Sequence, residues 1–104
     1  MTKTCAETEM NCGDFFEFVY AAAQNGNAVA QRRLGILYDG GKGVTQDEKK
    51  AFKWKLTAAE NGDGSAQLSI ASQYMNGWNV GKNPSEAKRW WTVAANDGHM
   101  HAQF

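Results

Sequence analysis

Apolar residues along this chain recur at helical spacing, in short segments separated by glycine-rich stretches. Ala30, Leu34 and Tyr38 stand at positions i, i+4 and i+8, which places them on one face of a helix. The stretch 66–74 repeats that spacing with alanine, isoleucine and tyrosine. Extended along the chain, the pattern predicts five helices, at about 14–24, 27–39, 47–60, 63–76 and 84–97.

The chain is internally repetitive, with a period of 36 residues. The motif A-A-x-x-G begins at Ala22, returns at Ala58 and returns again at Ala94. Between residues 22–57 and 58–93, 11 of 36 positions are identical without a gap, far more than coincidence gives. A unit of two short helices cannot bury both of its faces alone, so successive units must stack. The sequence therefore predicts an all-α fold, a short α-solenoid of antiparallel helix hairpins.

Turn and cap residues separate the two helices within each unit. Glycine-rich turns occupy 40–43 and 76–79. Asp47 is a candidate N-cap for the helix that follows the first turn. Asn83, followed by a proline and then by Glu86, is the candidate cap after the second turn and has the spacing of a capping box.

The second helix of each unit carries a tryptophan between alanines. Trp54 and Trp90 are 36 residues apart, and both are predicted to lie in the core. The same shift brings Phe18 into register with Trp54, so the start of the domain has the pattern of a second helix without its first. The predicted organisation is an irregular N-terminal segment 1–13 and a repeat domain 14–104, divided into a half repeat 14–21, repeats 22–57 and 58–93, and a partial repeat 94–104.

Composition and charge then narrow the classes of function. With 42% hydrophobic and 21% charged residues among 104, the chain has the composition of one folded domain. Eleven basic and eleven acidic residues give a net charge of zero, which argues against general nucleic-acid binding, since that relies on excess positive charge. No apolar run approaches the roughly 20 residues of a membrane span, and residues 1–11 lack a signal-peptide pattern. We therefore expect a cytoplasmic protein that contacts neither nucleic acid nor membrane.

The repeat resembles a known family. Residues 22–57 fit the pattern A-A-x-x-G-x-x-x-A-Q-x-x-L-G-x-x-Y-x-x-G-x-G-V-x-x-D-x-x-x-A-x-x-W, which is similar to the Sel-1-like repeat, a relative of the tetratricopeptide repeat. Residues 58–93 depart from it mildly, at Ile70, Ala71 and Asn83 and in the turn. The resemblance implies a solenoid of helix pairs that serves as a scaffold or adaptor for protein–protein contacts, with no shared catalytic residues.

By the same resemblance, the first helix of each pair lines a concave groove that suits a helix or an extended peptide of another protein. The predicted outward positions of these helices are Val29, Arg32, Arg33, Ile36, Ser65, Leu68, Ser69, Ser72 and Met75. Trp78 and Trp91 are further candidate contacts, because they replace lysines of the first unit and tryptophan is enriched at binding hot spots. The alternative is that these two rings cap the terminal hairpin.

Some secreted relatives in this family carry paired cysteines about eight residues apart in each repeat. Here the corresponding pairs are Ala23 with Gln31 and Ala59 with Gln67, so that disulfide pattern is absent.

Two cysteines and two histidines are the remaining candidates for reactive or metal-binding chemistry. Cys5 and Cys12 are separated by six residues, a spacing without strong metal precedent, and His99 with His101 is a weak signal by itself. Five stacked helices at about 8–10 Å spacing place the cysteines and histidines tens of ångströms apart. We expect two ordinary thiols, with a disulfide, a metal site or a reactive thiol as alternatives, and no cofactor, metal or catalytic residue.

The sequence thus predicts a non-catalytic protein–protein interaction module that binds a partner protein or peptide through its groove or edge. An adaptor that links two proteins is one version. The other is a stand-alone inhibitor of the phage-encoded or immunity type, which blocks one target. A homodimer through the exposed solenoid ends is compatible with both, and a redox or metal-dependent enzyme is the third alternative.

Overall fold

The computed structural model describes residues 12–78 and 80–97, and in these residues it contains five α-helices and no strand. The helices are α1 (Cys12–Gln24), α2 (Ala28–Gly40), α3 (Glu48–Glu60), α4 (Gly64–Asn76) and α5 (Pro84–Asn96). Each packs against its neighbours in chain order, and the molecule is elongated, 46 × 26 × 22 Å. The predicted all-α solenoid of stacked hairpins is confirmed. No helix in the described part of the chain is long and apolar enough to cross a membrane.

The first helix begins two residues earlier than predicted. Cys12 and Gly13, assigned from the sequence to the irregular segment, belong to the first turn of α1. Gly13 is exposed, and apolar periodicity carries no information about an exposed first turn. Cys5, His99 and His101 lie outside the described residues.

Polar caps fix the starts of the other helices. The side chain of Asp47 accepts hydrogen bonds from the backbone N–H groups of residues 49 and 50, and that of Asn83 accepts one from Glu86 N at 3.2 Å. Both predicted caps are therefore confirmed. The predicted capping box does not form, because Asn83 N donates to Tyr74 O at 2.8 Å and the Glu86 carboxylate pairs with Arg89.

Glycine is needed at two kinds of position in the hairpins: at the turns that end α2 and α4, and where α2 and α3 approach each other. Gly41 ends α2 and Gly77 ends α4 in the left-handed region, at φ +64° and +72°, where an L side chain would be strained. Gly35 lies where α2 crosses α3, and a Cβ there would stand 2.6 Å from Lys55 Cγ and 3.0 Å from the Ala51 carbonyl oxygen. The absent side chain lets these two helices approach closely.

Among the residues that the structure describes, buried apolar side chains form two clusters, one in each half of the solenoid. Leu34 lies in the first, between α1, α2 and α3, and Ile70 lies in the second, between α3, α4 and α5; both are fully buried. The two repeat-related tryptophans differ. Trp90 is 4% exposed within the second cluster, whereas Trp54 is half-buried at the edge of the first. The prediction that both lie in the core is confirmed for Trp90, whereas Trp54 is only partly buried against the first cluster, where its ring meets that of Tyr20 of α1 edge to face.

A buried glutamine joins each unit to the helix before it. Gln31 Nε2 donates to Ala23 O, and Gln67 Nε2 donates to Ala59 O, each at 3.1 Å. These are the pairs of positions, eight residues apart, where cysteines were considered from the sequence. Gln31 Oε1 also accepts from Asn61 Nδ2 at 2.9 Å, whereas Gln67 Oε1 is buried without a partner in the described part of the chain. Gln67 Nε2 also donates to Asp97 Oδ2, at 3.4 Å, so each glutamine makes two side-chain hydrogen bonds and the junctions differ in the unpaired oxygen of Gln67.

Candidate protein-binding surfaces

A groove lies between α2 and α4, the first helices of the two hairpins. Its hollow has a volume of about 380 Å³. Lys55 of α3 contributes to its lining, with the lysine stem lying against α2 at Gly35 and the ammonium paired with the carboxylate of Asp39. The complete lining consists of Asp39, Lys55, Ser69, Ser72, Gln73 and Trp78. The structure thus brings together two predicted serines and one predicted tryptophan with three polar side chains that the sequence did not indicate.

Trp78 forms the exposed edge of this groove. It stands in the turn after α4 with 62% of its surface exposed. Gln73 Nε2 donates to the Trp78 carbonyl at 3.2 Å, and Trp78 N donates to the Gln73 carbonyl at the same distance. The Gln73 Oε1 atom is buried and has no partner among the described residues. These bonds hold the turn against α4, so that the indole stands beside a polar hollow.

Arg32 plays a different part from the one predicted. Its Nε donates to both carboxylate oxygens of Asp63, at 3.0 and 3.2 Å, and Asp63 also caps α4 by accepting from Ala66 N. The Asp63 side chain is only 6% exposed. Arg32 was predicted to present its charge outward to a partner, whereas its guanidinium joins α2 to the start of α4, since a buried carboxylate needs a partner.

Val29 and Arg33 of α2 do not line the groove. They line a hollow of about 600 Å³ between α1 and α2, together with Phe18. This hollow is mostly apolar, and Phe18 is 64% exposed while Val29 is 46% exposed. Ile36 is also exposed on α2, at 48%. Val29 and Ile36 are therefore exposed, as predicted, but neither lines the hollow that contains Ser69 and Ser72.

The remaining predicted contact residues of α4 and α5 differ in how far they are buried. Ser65 is exposed, while Leu68 and Met75 are half-buried. Trp91 is half-buried and packs against the second apolar cluster, as its alternative role in capping the terminal hairpin requires.

Sequence reasoning missed the charged floor of the groove. Asp39 and Lys55 are 16 residues apart on different helices, so the spacing of charges within one helix does not reveal their ion pair. Gly35 was an available signal. A glycine on the buried side of a helix marks a place where another chain segment comes close, and here that segment is the lysine stem.

The described residues contain no group of three or more histidine, cysteine, aspartate or glutamate side chains placed to hold a metal ion. Within residues 12–78 and 80–97, the groups with a shifted pKa form one exposed ion pair. The hydrogen bond from Arg89, and secondarily its charge, lowers the pKa of the Glu86 carboxyl, and the same hydrogen bond raises the pKa of Arg89. Such a pair on the outer face of α5 is a structural contact.

Fold and surfaces together define an α-helical repeat protein with an open groove. The Sel1 repeat family matches residues 28–63 and 64–99, two stretches of 36 residues that cover more than two thirds of the sequence. The chain belongs to the Sel1 repeat family. Each matched unit begins with the first helix of a hairpin, six residues after the starts chosen from the alanine motif, and the period is the same. Sel1 repeat proteins are generally non-catalytic helical scaffolds, and their fold is typically a protein-interaction module.

Three solved structures are similar to this chain. A Sel1 repeat protein from Oxalobacter formigenes has a TM-score of 0.83 and 32% identity, over 91% of this chain and 39% of that one. The c5321 protein, a protective antigen of uropathogenic Escherichia coli with an SLR fold, has a TM-score of 0.77 and 32% identity, over 86% and 19%. Cysteine rich protein B of Helicobacter pylori has a TM-score of 0.85 and 25% identity, over 93% and 73%.

This chain spans less than half the length of the first two structures. The search of curated proteins gives no match.

Proposed function

We propose that this chain is a non-catalytic protein-binding module, and that its main binding surface is the groove between α2 and α4. The observation that carries the proposal is the juxtaposition of an exposed indole with a polar hollow. Trp78 offers a large apolar contact at low conformational cost, while the Ser69 and Ser72 hydroxyls offer hydrogen bonds. This combination suits an extended peptide, whose backbone needs hydrogen-bond partners and whose side chains need apolar contacts.

The ion pair on the groove floor adds selectivity. Asp39 and Lys55 neutralise each other, so the floor attracts neither strongly acidic nor strongly basic ligands. A bound segment of mixed or neutral character avoids leaving either charge desolvated and unpaired. We therefore infer that the groove selects its partner by shape and hydrogen bonding, with Trp78 as the anchor.

The biological role that we propose is that of an adaptor or a small inhibitor in the cytoplasm. An adaptor needs a second surface for a second protein, whereas a phage- or immunity-type inhibitor needs only one target. The replacement of cysteine pairs by glutamine-to-carbonyl hydrogen bonds supports a reducing compartment, because these junctions need no disulfide. Self-association through the exposed ends of the solenoid stays a prediction, to be tested by the oligomeric state in solution.

The test is a comparative capture from the native host. Tagged wild-type protein, a groove variant Ser72→Arg and a matched variant Ser65→Arg are used as baits, and captured proteins are identified by mass spectrometry. Ser65 is exposed on the same helix but does not line the groove, so it controls for the added charge. We expect a partner that the wild type and Ser65→Arg retain and Ser72→Arg loses. A partner retained equally by all three, with intact helicity, would contradict the groove as binding surface.

A further inference from the structure

A third hollow is lined by residues of α1, α2 and α3, and it lies on the other side of α3 from the groove. Residues two positions apart on a helix point about 200° apart, so Lys53 and the groove residue Lys55 project from opposite sides of α3. The hollow has a volume of about 260 Å³. Its walls are aromatic and its rim is basic, formed by Tyr20, Tyr38, Lys50, Lys53, Trp54 and Thr57.

The next repeat shows what the fold does with the same positions. Thirty-six residues on, Leu56 replaces the tyrosine of α1, and a glutamate and an arginine replace the two lysines. Arg89 pairs with Glu86 at 2.9 Å and lies 4.7 Å from the centre of the Trp90 ring, which is 4% exposed. In that repeat the tryptophan is buried and the two charges neutralise each other. The solenoid therefore does not require an open, basic hollow at this position.

In the first repeat the same site is open and carries two unneutralised charges. Lys50 and Lys53 are exposed, and among residues 12–78 and 80–97 no carboxylate lies within ion-pair distance of either. The Lys50 ammonium stands 5.7 Å from the Tyr38 ring centre. The rings of Tyr20 and Trp54 meet edge to face at 6.1 Å and leave the half-buried indole accessible.

We propose that this hollow is a second interaction surface, which receives an acidic segment of a partner protein with an aromatic residue beside its carboxylates. The carboxylates lie near Lys50 and Lys53, where they supply the negative charge that Glu86 supplies in the next repeat. The aromatic side chain lies against Trp54 and Tyr20, where edge-to-face and stacked contacts are favourable. This surface is on a different side from the groove, so the inference stands independently of the proposed function.

The test is a titration of the 15N-labelled protein with the peptide acetyl-Asp-Glu-Phe-Glu-amide, followed by NMR of the tryptophan indoles. We expect the Trp54 indole signal to shift saturably while that of Trp90 stays in place. The Lys50→Gln, Lys53→Gln double variant should bind the peptide about three- to tenfold more weakly, because each exposed ion pair contributes modestly. Added salt should weaken binding to the wild type in the same direction.

Controls separate this site from general charge attraction and from the groove. The double variant Lys49→Gln, Lys82→Gln removes the same net charge outside the hollow and should leave the affinity unchanged. Ser72→Arg, which alters the groove, should also bind the peptide normally. The inference is overturned if the Trp54 signal does not move, if both lysine variants lose affinity equally, or if the uncharged peptide acetyl-Asn-Gln-Phe-Gln-amide binds equally well. Tenfold tighter binding of phenyl phosphate would also overturn it, since the site would then serve a phosphate ligand.

Discussion

Replacing the two repeat-related tryptophans should have unequal effects on stability. Trp90 is 4% exposed within the second cluster, so Trp90→Ala removes a whole indole from a packed site and leaves a cavity. Deletions of this kind cost about 3–5 kcal/mol. Trp54 is half-buried and its neighbours can close on the space, so we expect Trp54→Ala to cost about 1–3 kcal/mol.

The milder substitution Trp90→Phe also tests this reasoning about the buried indole. Trp90 Nε1 is buried and has no hydrogen-bond partner in the described part of the chain, a state that costs about 1–3 kcal/mol. Trp90→Phe removes this unpaired donor while it retains most of the apolar contact, so the two effects largely offset each other. We expect a loss of less than about 1.5 kcal/mol, far below that of Trp90→Ala.

Urea unfolding monitored by circular dichroism measures these differences, with the free energy extrapolated to water for each variant. The slope of free energy against urea should stay constant, which shows that the extent of unfolding is unchanged. Equal losses for Trp54→Ala and Trp90→Ala, or a larger loss for Trp54→Ala, would refute the reasoning from burial. A loss for Trp90→Phe as large as that for Trp90→Ala would refute the argument about the unpaired indole.

Three further predictions use the same measurement. Gly35→Ala should cost about 1–3 kcal/mol, because the new Cβ meets a backbone carbonyl at 3.0 Å, whereas Gly81→Ala, in open space, should be nearly neutral. Gln31→Leu should lower the free energy of unfolding by about 1 kcal/mol more than Gln67→Leu does, since only Gln31 uses its side-chain oxygen in a hydrogen bond. A larger loss for Gln67→Leu would contradict this account. The pKa of the Glu86 carboxyl is lowered in the folded state, so its contribution to stability is present above its ordinary pKa of 4.5 and is lost as the pH falls. Glu86→Gln should therefore make the free energy of unfolding fall less steeply at acid pH. An unchanged fall would show that the ion pair contributes nothing to stability.

The helices and their order could be predicted because the same spacing of apolar residues and caps occurs in both repeats. The stripe through Leu34 and Tyr38, and the caps at Asp47 and Asn83, depend on residues within one helix or its first turn. Such local patterns are set by helix geometry alone. The sequence therefore sufficed for the all-α solenoid and for most helix ends.

The surfaces could be predicted only in part, because they depend on neighbours that periodicity does not specify. Arg32 is on the outer side of its helix, as predicted, but its guanidinium is paired with the carboxylate of Asp63, 31 residues away. Trp54 has the sequence environment of Trp90 and yet stays half-buried, since the helix beside it offers Tyr20 at that position. Periodicity gives the face on which a side chain lies, whereas the element packed against that face decides its burial and partners.

The most direct test of the central claim is isothermal titration of the captured partner with three proteins. The wild type, Trp78→Ala and the matched variant Ser65→Arg are compared after circular dichroism has shown equal helicity. We predict that Trp78→Ala weakens binding by at least about 2 kcal/mol, the size expected for an anchoring tryptophan, while Ser65→Arg binds as the wild type does. Equal affinity of all three proteins would contradict the account of the groove as the binding surface.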